Sequence, residues 1–145
     1  MNERPALSFA AARVTRAAGV ALIAQARQAA EAEGLCISVA VVDATGTLCA
    51  FERDDNAPFF TAEVAIRKAW TAASSGLPTH VWNSFVAQPA MAPMMQLPQM
   101  MPVAGGLPLI VDGKLVGGLG VSGGPPEQDC AIAEAALNNA GFAAE

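Results

Sequence analysis

The segment GGLPLIVDGKLVGGLGVSGG, running from Gly105 to Gly124, decides the fold. Pro108 to Val111 and Lys114 to Ser122 read as two strands. The Asp112-Gly113 pair between them is a strong hairpin signal, because a two-residue turn needs positive φ at both central positions. Gly117, Gly118 and Gly120 would weaken the second strand unless something approaches its backbone closely. Two readings account for them. Either a helix or a neighbouring subunit packs on the strand, or the strand lines a pocket. In that pocket backbone N–H groups near Ser122 to Gly124, with the N-terminus of the following helix, would hold a carboxylate or similar anion. Gly118 to Gly123 also spells G-x-G-x-x-G, but a dinucleotide fold requires a second parallel strand after the helix and an acidic residue near its end. A single helix pattern follows, so the nucleotide reading is set aside.

Downstream, Pro125 and Pro126 suit the first turn of a helix, and Glu127 and Asp129 put negative charge near its positive end. This helix is expected to reach about Asn139. Upstream, Ser8 is a plausible N-cap for a helix from Phe9 to Glu33, closed by Gly34. Val14, Ala18, Ala21, Leu22 and Ile23 form its apolar side, with Arg13, Arg16, Arg27 and Glu31 opposite. Cys36 to Val42 alternates as a strand buried on both faces, Asp43 to Gly46 forms a turn, and Thr47 to Arg53 is a return strand. A second helix is expected from about Phe60 to Ala73, ended by Ser74-Ser75-Gly76, with Glu63 and Arg67 at i,i+4 spacing. Thr79 is the expected cap of a short third helix running to about Gln88.

Between Pro89 and Pro102, four prolines prevent long regular structure while five methionines keep the stretch apolar. It reads as a buried or interfacial connector. The order is therefore α-β-β-α-α-β-β-α, one α/β domain of the α+β kind over residues 1–145, with a mainly antiparallel sheet of four to five strands flanked by helices.

The glycine hairpin, followed by EQD and an alanine-rich helix, resembles the GlcG/HbpS-like family, also found as the C-terminal domain of PduO-type proteins. RKAWTAASSGLPT from Arg67 to Thr79 and ISVAVVDATGTLCAFERDDNAP from Ile37 to Pro58 fit the same pattern. The resemblance implies a profilin- or roadblock-like fold and a homo-oligomer, and in some members the binding of haem or another tetrapyrrole. Other members stand in catabolic operons.

The totals agree with a protein that associates with itself. Of 145 residues 53% are hydrophobic and only 14% charged, so polar surface is scarce for a monomer. The net charge of −5 and eight scattered basic residues argue against nucleic-acid binding, which relies on clustered cations to release phosphate counterions. No apolar stretch reaches the roughly 18 residues of a membrane span, and MNERPALSF lacks the basic-then-apolar layout of a signal. A cytoplasmic protein is expected. The cysteines Cys36, Cys49 and Cys130 have no metal or redox spacing, which suits buried, reduced thiols.

The leading functional expectation is a small-molecule binding protein whose pocket joins the second helix, the methionine connector and the glycine strand. Lys68 is the candidate cation for a substrate carboxylate or haem propionate, its alternative being a salt bridge to Asp54, Asp55 or Glu63. Asp55 is a candidate ligand contact or acid-base group, with turn formation as its plainer role. Gly118, Gly120 and Ser122 would offer backbone, and Met94 and Met95 thioether or apolar contact. His80, the sole histidine, is the candidate axial ligand if haem binds, or else a surface residue beside a helix cap. A single histidine and unspaced cysteines make no conventional zinc site. Two other functions compete: a cofactor-independent lyase or isomerase using Lys68 and the glycine backbone as an anion clamp, and a non-catalytic oligomeric accessory subunit.

Overall fold

The computed structural model describes residues 3–142. Its elements run α1 (Arg16–Ala32), β1 (Ser38–Asp43), β2 (Leu48–Arg53), α2 (Phe60–Ser75), α3 (Thr79–Val86), a 3-10 turn at Ala92–Gln96, β3 (Gly106–Val111), β4 (Lys114–Ser122) and α4 (Pro126–Asn139). The fold is α+β, with a four-stranded sheet in the order β2-β1-β4-β3 and every neighbour antiparallel. Thus β2 and β3 are the edges, and β1 pairs with the glycine strand β4 at the centre. The first two residues of MNERPALSF, and residues 143–145 of the expected domain, lie outside the described residues.

At the second hairpin, Asp112 has φ 51° and Gly113 φ 74°, so the turn has the two positive φ values that its dipeptide favours. The helix α1 ends as expected: Gly34 takes φ 67°, while Gly34 N–H bonds Glu31 C=O and Leu35 N–H bonds Ala30 C=O. This is the Schellman closure, available to a residue without a Cβ penalty. Its start differs from expectation. Ser8 caps nothing, because Val14 N–H donates instead to Val116 C=O of β4 and Thr15 Oγ1 accepts from Ala18 N–H at 3.1 Å. The strand β4 competes for the backbone that would otherwise have continued the helix toward Phe9.

Each face of the sheet has its own cover. One carries α1 and α4 over Val39, Val41, Leu107, Leu109, Leu119 and Val121. The other carries α2, whose Ala65, Ala69 and Ala73 pack on Ala40 and Val42. A Cβ at Gly118 would collide with the Ala69 carbonyl, and one at Gly120 with the Ala65 carbonyl. The glycines of β4 therefore let the α2 backbone lie almost directly on the sheet. Between the two proposed uses of those glycines, the structure chooses helix packing within one chain.

Thr79 does not cap α3. That place falls to Pro78, and the buried Thr79 hydroxyl donates to Val103 C=O at 2.6 Å while accepting from Gly106 N–H at 2.8 Å. It ties the start of α3 to the start of β3. The methionine connector is mainly on the surface: Met100 is buried, but Met95 is half exposed and Leu97 exposed. Among the described residues no helix is long and apolar enough to cross a membrane.

Candidate functional site

A concavity lies where α2 gives way to α3. Gly76 ends α2 with φ 72°, Leu77-Pro78 turns the chain, and α3 begins at Thr79 with His80 in its first turn. The opposite walls come from β3 (Leu107, Pro108, Ile110) and from the far half of α4 (Glu134, Leu137, Asn138). The cleft holds about 390 Å³, within the range of small-ligand sites. Leu77, Leu107, Ile110 and Leu137 make it apolar, while His80, Glu134 and Asn138 supply its polar side chains.

Next to the cleft, Cys130 Sγ lies 3.9 Å from His80 Nδ1 and 3.6 Å from Glu134 Oε1. Burial and the neighbouring Glu134 carboxylate push the Cys130 thiol up to about 11. It is a neutral thiol at pH 7, so it acts as a packing and weak hydrogen-bonding group and not as a nucleophile. Among the described residues no three His, Cys, Asp or Glu side chains converge to hold a metal ion.

Lys68 is 1% exposed and does not line this cleft. From the middle of α2 its Nζ donates to Val121 C=O at 2.8 Å and to Asp129 Oδ2 at 3.2 Å. Its partner is therefore Asp129, not Asp54, Asp55 or Glu63; the Glu63 carboxylate is taken by Arg67 at 2.6 Å. Burial lowers Lys68 and raises Asp129, and the attraction between the two opposes each shift. With both hydrogen-bonding partners supplied from within, Lys68 is withdrawn from the role of anion clamp. Asp129 Oδ1 also accepts from Gly124 N–H at 2.9 Å. The backbone proposed to hold a ligand carboxylate at Ser122 to Gly124 thus holds the chain's own.

The other expected contacts are dispersed. Gly118 and Gly120 lie under α2, and Ser122 is buried at the end of β4 opposite Ser38. Asp55 is exposed in the turn before Ala57. Met94 and Met95 sit on the 3-10 turn, away from the cleft lining. Of the expected site residues the structure brings only His80 to the cleft. Sequence reasoning missed Glu134, Leu107 and Leu137 as cleft walls; their one signal was that Leu137 and Glu134 are i,i+3 neighbours on the last helix.

A family model described as haem degrading protein HbpS-like matches residues 14–138. The chain belongs to the HbpS-like family. It is 37% identical to a 15.0 kDa protein of the dhaT-dhaS intergenic region of Citrobacter freundii, over 77% of this chain and 83% of that one. It is 40% identical to the corrinoid adenosyltransferase PduO of the same organism over 70% of this chain, which spans only 31% of PduO. Among solved structures, a double mutant of Streptomyces reticuli HbpS superposes with a TM-score of 0.88 at 31% identity, covering 98% of this chain and 97% of that chain. A PduOC:heme complex superposes at 0.83 with 31% identity, covering 90% of this chain and 97% of that one. The family link to haem-associated proteins is thus established at the level of fold and sequence.

Proposed function

We propose that this protein binds a small, largely apolar ligand in the cleft between the α2–α3 junction, β3 and α4, and that haem is that ligand. The observation that carries the reading is the placement of the sole histidine, His80, on the wall of an apolar cleft of about 390 Å³. The residues fit the group at two points. The exposed His80 imidazole supplies a nitrogen ligand, and Leu77, Leu107, Ile110 and Leu137 supply the wall against which a macrocycle packs. No Lys or Arg lines the cleft, so the propionates would stay in water. Bound haem would contribute an iron centre. This chain would hold it through the His80 imidazole nitrogen, and Leu107 and Leu137 would exclude water beside it.

The PduOC:heme complex to which this chain is similar supports this choice of ligand. The withdrawal of Lys68 from any accessible surface takes away the clamp on which a carboxylate lyase would depend. We also propose that the protein is cytoplasmic. We propose further that it works as a homo-oligomer, since Leu7, Phe9, Phe59 and Phe60 are all largely exposed in the single chain.

Titration of the purified chain with haemin tests the reading. The expected result is a saturable Soret shift at stoichiometric haemin that is lost or moved in His80→Ala. No saturable shift removes haem, and a shift identical in His80→Ala removes the axial role of His80.

A further inference from the structure

Residues 3–14 form neither helix nor strand, and residues 3–13 are all exposed. Among the described residues their one backbone hydrogen bond is Val14 N–H to Val116 C=O. Leu7 is 96% exposed and Phe9 89%. Leu7, at a bend, and Phe9 stand two residues apart on this segment. Among the described residues nothing covers them.

The same chain holds an apolar surface that it also leaves open. A groove of about 280 Å³ runs between α1 and β2, lined on its apolar side by Val20, Ile23, Ala24, Cys49 and Ala50. Val20 is 56% exposed. Arg27 closes one end of the groove with bonds of 2.8 and 3.0 Å to the two Glu52 carboxylate oxygens. The groove borders β2, an edge whose outer side pairs with no strand among the described residues. The opposite edge, β3, is blunted by Pro108, which lacks an N–H, and forms a wall of the cleft. The edge left open to an incoming segment is therefore β2.

We propose that residues 3–13 are an arm that docks on a second copy of this chain, placing Leu7 and Phe9 in the groove between α1 and β2. The inference rests on the homo-oligomer proposed above and names its surface. A second copy is the fitting occupant because arm and groove are complementary and come from one sequence. The arm is anchored at Val14 to β4, two strands from its own β2. When two copies exchange arms about a twofold axis, each uncovered segment meets an uncovered groove and the contact closes on itself. A foreign partner would cover the groove and leave the arm exposed. The groove shares no residue with the cleft, so arm exchange and ligand binding are separable.

The native Cys49 lines this groove and provides the test. Light scattering during size exclusion gives the mass of the full chain, of Leu7→Asp/Phe9→Asp and of Val20→Asp. Each variant changes an exposed side chain, and circular dichroism confirms that the fold persists. Arm exchange predicts an oligomeric wild type and a smaller assembly for both variants. It also predicts that Phe9→Cys forms a disulfide-linked dimer with Cys49 of the second copy under mild oxidation, absent when Cys49→Ser is added. A monomeric wild type at micromolar concentration overturns the oligomer and the arm together. An oligomer unchanged in the Leu7→Asp/Phe9→Asp variant overturns the arm alone, as does a Phe9→Cys cross-link confined to a single chain.

Discussion

Lys68 Nζ lies 3.2 Å from Asp129 Oδ2, joining the middle of α2 to the first turn of α4 through the interior, where the two side chains are only 2% and 3% exposed. The carbonyl of Val121 and the N–H of Gly124 complete the network, so the pair fastens both ends of the β4–α4 connection. Removing one partner strands the other charge away from water, which costs about 3–5 kcal/mol, whereas replacing both by apolar groups of similar volume is often neutral. Urea unfolding of Lys68→Ala and Asp129→Ala should each show a loss of that size. Lys68→Met/Asp129→Leu should recover most of it. Equal losses in the double variant and the single ones would mean that the hydrogen bonds, not the stranded charge, dominate.

The same pair gives stability a pH dependence with a definite sign. Burial raises Asp129 above its ordinary 3.8, so the folded chain holds the extra proton. The cost of ionising Asp129 is absent below 3.8 and sets in as pH rises through the raised value. Burial lowers Lys68 below its ordinary 10.5, so the unfolded chain binds more protons there, and stability increases as pH climbs toward 10.5. Relative to Lys68→Met/Asp129→Leu, the wild type should be weakest near neutrality and gain toward both extremes. Urea midpoints across a pH series would show this, and a wild-type advantage peaking at neutrality would mean that mutual attraction exceeds burial.

Gly120 gives a sharper test of how α2 sits on the sheet. A Cβ there would meet the Ala65 carbonyl and come within 2.7 Å of Ala69 N, both of them helix backbone that no side-chain rotation can move. Gly120→Ala must lift α2 off β4, and overpacking of this kind costs about 3 kcal/mol or more. Gly113→Ala is the control. Its site is open, and the cost is confined to the positive φ of 74°, about 1 kcal/mol. Similar losses at the two glycines would contradict the close approach.

These contrasts show what the sequence could disclose. The hairpin at Asp112-Gly113, the closure at Gly34 and the end of α4 at Asn139 depend on residues adjacent in the chain, and all three stand where expected. The start of α1 was misplaced because Val14 answers to Val116, a strand about a hundred residues away that local pattern cannot weigh. Lys68 and Asp129 are 61 residues apart, and each had a nearer, plausible explanation, Lys68 in a salt bridge to Asp54, Asp55 or Glu63 and Asp129 in a helix dipole. The cleft draws its walls from residues 76–80, 107–110 and 134–138, so only its single histidine, conspicuous by chemistry, could be singled out. Fold class and element order were legible because hydrophobic period and turn chemistry are local; the site was not, because it exists only after the sheet has formed.

Cys130 lies between the buried pair and the cleft, and its reactivity reports on both. Burial is the larger cause and Glu134 the next in holding its thiol up to about 11, with Lys68 pulling the other way. At pH 8 about one part in a thousand is thiolate. Alkylation at Cys130, followed by peptide mass spectrometry, should therefore be slower than for a free thiol and accelerate about tenfold per pH unit until near 11. Glu134→Gln removes a nearby negative charge and should raise the rate at pH 8, while leaving the Lys68–Asp129 bond in place. A ligand in the cleft covers Glu134 and its neighbours, so haemin should slow the reaction further in the wild type. Rapid alkylation at pH 7 would show that Cys130 is neither shielded nor held neutral, and protection absent at saturating haemin would place the ligand elsewhere.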